Sequence, residues 1–479
     1  MIRRSFVLAT ALLSAGCSMA PRYVTPEAPV PPSWPAGDAY LRESEAALPA
    51  VSYRQIFTDT RLQGLVEQAL VNNRDLRIAA ANIAAARAQY RIQRAARFPQ
   101  VDVGGGVTRS DNGGNNNVVN NGPRSSYSAN AGINAFEIDL FGRLASLSRA
   151  EQNRYFATEA AARATRLTLV GDIADAWLAY GADASLLAIA MDTAANAERS
   201  VGLTRARLQG GIAPRSDLRQ AEQILETARA DIAQQTTALA QDANALQLLV
   251  GAPIDPALLP KSIEEAATTI GVLPAGLDSH ILLRRPDVVQ AEYELRAANA
   301  EIGAARAALF PTISLTGLLG FASNALSSLF DSGSFAWSAG ADANYPIFRA
   351  GAGRAGVALS EAQRDAALAT YERAIQTAFR EVSDALARRG TIEAQVTASE
   401  RQVTAASDTY TLADARYRGG IDSFLQSLDA QRTLYSTRQA LANVRLTSAS
   451  NRVALYRALG GDALLTVTDR GPEEVAAQP

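Results

Sequence analysis

One junction, made twice, limits what this chain can fold into more than any other feature. Residues 94–105 read RAARFPQVDVGG and residues 306–317 read RAALFPTISLTG, about 212 residues apart. Each starts as an Ala- and Arg-rich segment that favours helix, and each then meets a Phe-Pro pair, where a helix is interrupted. Alternating apolar and small or polar residues follow, which is the period of a two-faced strand. A helix that becomes a strand twice indicates an internal duplication.

Similar segments follow each junction. Four strands are predicted, each with one apolar face, over residues 100–109, 126–139, 311–321 and 334–346. In the second strand, strict alternation places Ala135 on the apolar face with Ile133. Long proline-free helical stretches follow each strand pair, and they break at Gly210-Gly211 and at Gly419-Gly420, an offset of 209 residues. Glycine can take the left-handed conformation of a helix end, so each half predicts a long helical hairpin. Its first helix, from Gly142 to Gly210, is about 100 Å long at 1.5 Å per residue.

The N-terminus has the pattern of a secretory signal peptide, with two arginines, an apolar run and small residues over residues 1–16. It ends in SAGC, which is similar to a bacterial lipobox, although Ser14 stands where a large aliphatic residue is usual. We interpret Cys17 as a lipidated mature N-terminus, the alternative being an ordinary signal peptide with an incidental cysteine. Ser18, and not an aspartate, follows the cysteine, and this resembles the sorting signal of lipoproteins that go to the outer membrane.

These signals divide the chain into five parts. They are a signal peptide (1–16), a lipid-anchored linker (17–60), a first structural repeat (61–265), a second structural repeat (266–465) and a C-terminal tail (466–479) that is predicted to be loose.

Composition excludes several classes of function. The net charge is −2, which does not favour nucleic acid as a partner. A single cysteine excludes a disulfide within the chain, and a single histidine, His280, excludes a multi-histidine metal site. After the signal peptide no run of 18 apolar residues occurs, so no transmembrane helix is expected. The carboxylates show no pairing motif, and an enzyme with a cofactor or metal is therefore not predicted.

The strands point to an outer membrane. Each has about 10 residues and one apolar face, as outer-membrane β-strands do. A soluble sandwich is the alternative, but no other β segment is available to cover that face. Four strands are too few to close a barrel, and open edges are not tolerated in lipid. Closure therefore needs several chains: a dimer gives eight strands around a filled interior, and a trimer gives twelve around a pore.

The connections between strands and helices indicate on which side of the membrane the helices lie. Both strand pairs leave from helices and return to helices, so all helices lie on one side of the membrane. For an exported chain, that side is the periplasm.

Five motifs resemble one known family. They are GCSMAPRYVTPEAP near the start, FEIDLFGR at 136–143, LLRRPDVVQAE at 282–292, FPTISLTG at 310–317 and RYRGGIDSFLQSLDAQR at 416–432. The chain resembles the TolC-like outer membrane factors, most closely the OprM/NodT-type efflux lipoproteins, over nearly all of residues 17–465. The resemblance implies a mainly α fold with a membrane β-barrel. Three chains, with four β-strands each, would form a twelve-stranded barrel and a periplasmic α-barrel of twelve helices.

The resemblance also implies a function and its site. Such proteins are the passive outer membrane ducts of tripartite, RND-type efflux systems for drugs and other small molecules. Implied partners are a homotrimer, a periplasmic adaptor, an inner-membrane RND transporter and outer membrane lipid. The tunnel closes at its periplasmic tip: Leu425 and Asp429 match residues that form constricting rings, and Asp217 and Tyr417 match residues that tie neighbouring hairpins. A ring of three carboxylates would prefer cations, and a ring of leucines would gate by dewetting.

Other interpretations stay open at the level of sequence. The same fold could serve as the duct of a type I protein secretion system, or the helices could form a non-conducting, lipid-anchored coiled-coil scaffold. Each proposed gate residue could be an ordinary packed or solvated helix residue. Arg284 and Arg285, although part of a family-typical segment, are interpreted as structural.

Overall fold

The structure is a computed structural model and describes residues 18–31, 33–34, 52–110, 124–273 and 279–475. The order helix, two strands and two long helices occurs twice. The first half contains α1 Tyr53–Ile56, α2 Thr60–Asn72, α3 Arg74–Ala95, β1 Val101–Ser110, β2 Arg124–Ile138, α4 Arg143–Gln209 and α5 Arg215–Val250. The second half contains α6 Ile263–Thr268, α7 Pro286–Ala307, β3 Thr312–Ser323, β4 Phe335–Asn344, α8 Ala352–Arg418, α9 Phe424–Ala458, β5 Leu465–Thr468 and β6 Gly471–Glu474.

The chain divides into two compact units. The first consists of the described residues within Met1–Glu27, Asn82–Thr158 and Ala291–Tyr371. The second consists of those within Ala28–Ala81, Glu159–Gln290 and Glu372–Pro479. Each repeat therefore contributes to both units.

The two helix-to-strand junctions have the same local structure. After α3, the N–H of Phe98 donates to the carbonyl of Ala95, and after α7 the N–H of Phe310 donates to that of Ala307. Each Phe-Pro pair then starts a strand, as predicted, because proline can neither donate to the helix nor allow the residue before it to stay helical. In the first unit the Phe310 ring stacks on that of Phe141, with 4.7 Å between centroids.

A four-stranded antiparallel sheet in the order β1-β2-β3-β4 forms the centre of the first unit. Its register aligns the apolar residues in rows across all four strands, such as Val103, Ala131, Leu319 and Trp337. The opposite face carries small or polar rows such as Gly106, Ser128 and Ala322, or Glu137, Ser314 and Asp342. In the single chain Val103 is 85% exposed and Trp337 is 73% exposed. The sheet therefore presents a continuous apolar face that its own chain does not cover, as a membrane wall requires.

A β-bulge in β2 corrects one prediction about this face. The register shifts between Ile133, which lies opposite Gly317, and Phe136, which lies opposite Leu315. Ala135 has a positive φ of 50°, and its N–H donates to the Oγ1 of Thr316 at 3.2 Å. Two residues thus occupy the place of one, so Phe136 instead of Ala135 continues the apolar face. Such a bulge bends the strand and increases its twist.

The segment that follows Cys17 docks along α7 in the first unit. Asn299 Nδ2 donates to the carbonyl of Pro21 at 2.9 Å, and the Tyr23 hydroxyl donates to Glu292 Oε1 at 3.4 Å. Ala20 lies so close to Gly303 that a side chain at 303 would collide with its backbone. The segment runs antiparallel to α7, so its start points toward the α7–β3 junction. Cys17 itself lies outside the described residues.

The core of the second unit surrounds the middle of α4. Trp177 is fully buried, and the Arg61 guanidinium of α2 lies 5.2 Å above its ring. The end of the linker and the start of the second repeat also pair here, because the N–H of Thr58 donates to the carbonyl of Thr269 and the N–H of Gly271 donates to that of Ile56. Among the described helices, α4 alone is long and apolar enough to cross a membrane by length and composition. Its buried side chains, among them Ile173, Trp177 and Leu178, supply part of that apolar character.

Arg285 joins the start of α7 to the end of α9 within the second unit. Its side chain is buried and forms ion pairs with Asp287 at 2.7 Å and with Glu381 at 2.9 Å. Its Nη1 also donates to the carbonyl of Ala458 at 2.7 Å. These contacts give Arg285 the structural role that its sequence context indicates.

The prediction of a loose tail after residue 465 is wrong for the described part of it. The strands β5 and β6 pair as an antiparallel hairpin, and the N–H of Val475 donates to the carbonyl of Leu464. Gly471 adopts a φ of 125°, and the Thr468 hydroxyl donates to its carbonyl at 2.7 Å. This local turn chemistry was not recognised in the sequence, and it lets Leu465 be buried.

The two faces of the sheet give a matched test. We expect Trp337→Arg to destabilise the protein by about 2–4 kcal/mol if the apolar face contacts lipid near the midplane, and Ser338→Arg to cost much less. The adjacent residues share one strand, so backbone effects are matched. Leu315→Arg and Ser314→Arg provide a second pair. The measurement is the folded fraction during denaturant unfolding in lipid, and equal losses on both faces would contradict the assignment.

Candidate functional site

The turns of the two long hairpins have the same geometry. Gly211 and Gly420 both have φ of 73°, in the left-handed region. The N–H of Ile212 donates to the carbonyl of Arg207 at 2.8 Å, and the N–H of Ile421 donates to that of Arg416 at 2.9 Å. Together with the bonds from Gly211 to Leu208 and from Gly420 to Tyr417, this is a Schellman motif, which pairs the last carbonyls of a helix. Gly210 and Gly419 precede the left-handed residues and lie directly after α4 and α8.

One apolar cluster in the second unit joins the regions of the two turns. We call it the tip cluster, and it consists of Ala197, Val201, Leu218, Ala221, Ile224, Leu225, Tyr417, Phe424 and Leu428. Tyr417 is only 5% exposed, its ring centroid lies 5.2 Å from that of Phe424, and its hydroxyl lies 3.4 Å from that of Thr204. The two hairpins of one chain therefore share a core near their turns.

Leu425 and Asp429 lie on the other side of α9 from the tip cluster. Leu425 is 61% exposed and Asp429 is exposed, whereas Phe424 and Leu428 beside them are buried. Residues four apart lie on one helix face, so α9 presents a leucine and a carboxylate together. At the corresponding positions of α5, 209 residues earlier, the chain has Ser216 and Gln220.

The two predicted ties lie in different environments. Asp217 is half-buried in the first turn of α5, where its Oδ1 accepts from the Ser216 hydroxyl at 3.3 Å. Tyr417 is enclosed by residues of its own chain. Its predicted role in tying neighbouring hairpins stays a prediction.

Sequence reasoning missed the contacts of Arg207. Its guanidinium lies 4.4 Å above the Tyr417 ring, and its Nη2 donates to the carbonyls of Tyr417 at 3.1 Å and Arg418 at 3.0 Å. The offset of 209 aligns Arg207 with Arg416, but the alignment does not show that their contacts differ.

A carboxyl pair on the first hairpin was also missed. Asp183 of α4 and Asp242 of α5 lie within hydrogen-bonding reach of each other. Burial, together with the neighbouring Asp183 carboxylate, raises the pKa of Asp242 to about 6, and burial raises that of Asp183. Asp242 Oδ2 is buried without a donor among the described residues. Two carboxylates can share a hydrogen bond only when one is protonated, so the pair favours the protonated form.

A β-sheet with an uncovered apolar face and two long helical hairpins define an outer membrane channel, in which a β-barrel is combined with an α-barrel. The family model described as outer membrane efflux protein matches residues 65–252 and 277–461. The chain belongs to the outer membrane efflux protein family, and it is an outer membrane component of an efflux system.

Relatives and solved structures agree with this assignment. The chain is 46% identical to the toluene efflux pump outer membrane protein TtgC of Pseudomonas putida, over 94% of both chains. It is 39% identical to the cation efflux system protein CusC of Escherichia coli, over 94% of this chain and 97% of that one. A crystal structure of CusC superimposes with a TM-score of 0.82 over 93% of this chain and all of the other. The open-state MtrE channel of Neisseria gonorrhoeae, 34% identical, gives 0.81 over 93% of this chain and 98% of its own.

The carboxyl pair predicts how stability depends on pH. Because its pKa is raised above the ordinary value of 3.8, folded Asp242 holds a proton that the unfolded chain releases between pH ~4 and ~6, and stability falls as pH rises through that window. We expect Asp242→Asn to raise the apparent Tm at pH 7.5 and to have little effect at pH 4. Asp183→Asn should behave similarly, with no further gain in the double variant. A difference that does not vary with pH would contradict the coupling.

Proposed function

We propose that three copies of the chain form a passive duct for small molecules across the outer membrane. The observation that carries this proposal is the four-stranded sheet, whose apolar face is uncovered. Within the described residues, β1 and β4 each pair on one side only. Unpaired backbone groups at these edges are not tolerated in lipid. Three chains of four strands close the edges and leave room for a pore, whereas two chains would leave an interior filled by side chains.

The duct works with two partners in a tripartite system. These are a periplasmic adaptor and an inner-membrane transporter of the RND type, which supply the energy and the substrate. Family membership supports export by efflux over protein secretion. The relatives are named for toluene, antibiotic, solvent and cation efflux, so a broad class of small molecules is the appropriate substrate class.

The gate of the duct lies at the hairpin turns. In a trimer, each exposed residue on the tunnel side of α9 occurs three times around the axis. Leu425 then forms an apolar ring that closes by dewetting, and Asp429 forms a carboxylate ring that prefers cations. Asp217 and Tyr417 hold the hairpins in the closed arrangement. The separation of Leu425 and Asp429 from the tip cluster supports the proposal, because these two side chains are not needed for packing.

A lipid on Cys17 adds an anchor in the outer membrane. The SAGC motif supports the modification, and the docked segment supports its position. Since Ala20 lies against Gly303 and the segment runs antiparallel to α7, its start points toward the strands. An acyl chain there would reach the membrane surface. It tethers the protein but spans nothing.

Single-channel conductance tests both the duct and the gate. In planar bilayers, trimers verified by native mass should conduct, and a folded trimer without conductance would favour the scaffold. We expect Asp429→Ala to raise conductance and to weaken cation preference, because it removes three carboxylates at the narrowest point. Asp429→Asn, which keeps the side-chain size, should mainly change selectivity.

The first repeat supplies the control. Gln220 occupies the position of Asp429 in the other hairpin, and Gln220→Ala should leave selectivity unchanged. If Asp429→Ala and Gln220→Ala gave the same reversal potential as the unaltered trimer, the gate assignment would fail while the duct could stand.

Intact mass of the membrane-purified protein tests the anchor. We expect a mature chain that begins at Cys17 and carries the added mass of lipid, because a lipobox cysteine is modified before cleavage. Cys17→Ala behind a cleavable signal peptide should still insert, since the strands carry the spanning structure. A mature chain with an unmodified Cys17, or one that starts elsewhere, is the contrary outcome.

A further inference from the structure

The duplicated turns carry one pair of arginines whose contacts differ. Arg416 precedes the second turn, and its Nε and Nη2 lie 2.5 and 3.0 Å from the two carboxylate oxygens of Asp422. Arg416 therefore forms an ion pair within its own turn. In the first turn the position of Asp422 is taken by Ala213, so Arg207 has no such carboxylate in its own turn.

Arg207 reaches the other hairpin instead. Its Nη2 donates to the carbonyls of Tyr417 and Arg418, the last two residues of α8, and its guanidinium lies over the Tyr417 ring. The carbonyls at a helix C-terminus carry the negative end of the helix dipole. The Tyr417 carbonyl already accepts from the N–H of Gly420 at 3.0 Å, and Arg207 adds a second, charged donor. A planar cation that donates to such carbonyls and also covers an aromatic face satisfies both groups at once.

We propose that Arg207 is an intrachain clamp that holds the α8–α9 turn against the α4–α5 turn and thereby sets the resting position of the gate. Leu425 and Asp429 lie in the first two turns of α9, directly after the α8–α9 turn. Their positions therefore depend on where that turn is held. This inference rests on the proposed gate. It assigns Arg207 a positioning role, because the side chain contacts the neighbouring helix end and not the exported molecule.

The matched test compares Arg207→Met with Arg416→Met. Each variant loses one guanidinium at the equivalent position of its own turn, but only Arg207 crosses between hairpins. In planar bilayers we expect Arg207→Met to shift the ratio of open to closed channels toward open by on the order of tenfold, since hydrogen bonds from a charged group are lost. Arg416→Met should leave this ratio unchanged. Arg207→Lys keeps a cation near the ring and should recover part of the effect.

Hydrogen exchange of the same trimers reports the clamp directly. We expect Arg207→Met, a change in the first turn, to increase exchange at the amides of the second turn, including Gly420 and Ile421. Arg416→Met should increase exchange only in its own turn. A merely structural arginine would affect the turn in which it lies and would not act on the other hairpin.

The outcomes separate the clamp from the gate. The clamp is refuted if Arg207→Met trimers, intact by native mass, keep both the open-to-closed ratio and the exchange of the second turn while Asp429→Ala still changes selectivity. If Asp429→Ala has no effect but Arg207→Met loosens the second turn, the clamp holds the hairpins and the gate has been placed wrongly. If Arg207→Met prevents trimer formation, the Arg207→Gln trimer, which loses the cation but keeps a polar side chain, is measured in its place, and an unaltered exchange pattern there refutes the clamp as well.

Discussion

The structure depends on one constraint, which is that backbone groups in lipid must find hydrogen-bond partners. Each chain contributes four strands and therefore has two edges to satisfy. A single chain can pair neither edge, because four strands are too few to curl into a closed barrel. In the proposed trimer, the copies that close the sheet also bring their hairpins around a common axis. In that proposal, a requirement of the strands also determines how the helices are arranged around the axis, and the proposed gate residues line the resulting tunnel.

The internal duplication explains why the chain has two similar hairpins. The positions at which the two hairpins differ in sequence include the proposed gate residues. The two turns share their Schellman hydrogen bonds and their left-handed glycines, so their backbones are equivalent. Their side chains differ: Leu425 and Asp429 stand where the first hairpin has Ser216 and Gln220. Identical turns give the hairpins matched ends, and the unequal side chains give only one hairpin the groups that could close a pore.

Much of the fold could be predicted from the sequence, since its strongest signals are local. The Phe-Pro junctions, the strands and the long helices follow from proline chemistry, alternation and the absence of breakers. The bulge at Ala135 could not be predicted, because it depends on how β2 pairs with β3. The sequence of β2 alternates without interruption at this position and gives no sign of it. The β5–β6 hairpin was missed because a few residues of turn chemistry carry too weak a signal. At the site, the positions of Leu425 and Asp429 followed from the resemblance. The burial of Tyr417 and the reach of Arg207 required the packing of two hairpins that are distant in sequence.

The docked segment near the N-terminus has a consequence for the order in which the chain matures. Tyr23 and Glu292 are 269 residues apart, and Pro21 and Asn299 are 278 apart. The segment after Cys17 must therefore wait for a helix of the second repeat before it can dock. Before α7 has folded, the segment makes no contact with it. If Cys17 is acylated, the lipid alone holds the segment at the membrane during that interval. Its docking closes one of the longest loops in the chain, a late step in folding because distant contacts cost the most chain entropy. Docking of the segment therefore requires a folded α7.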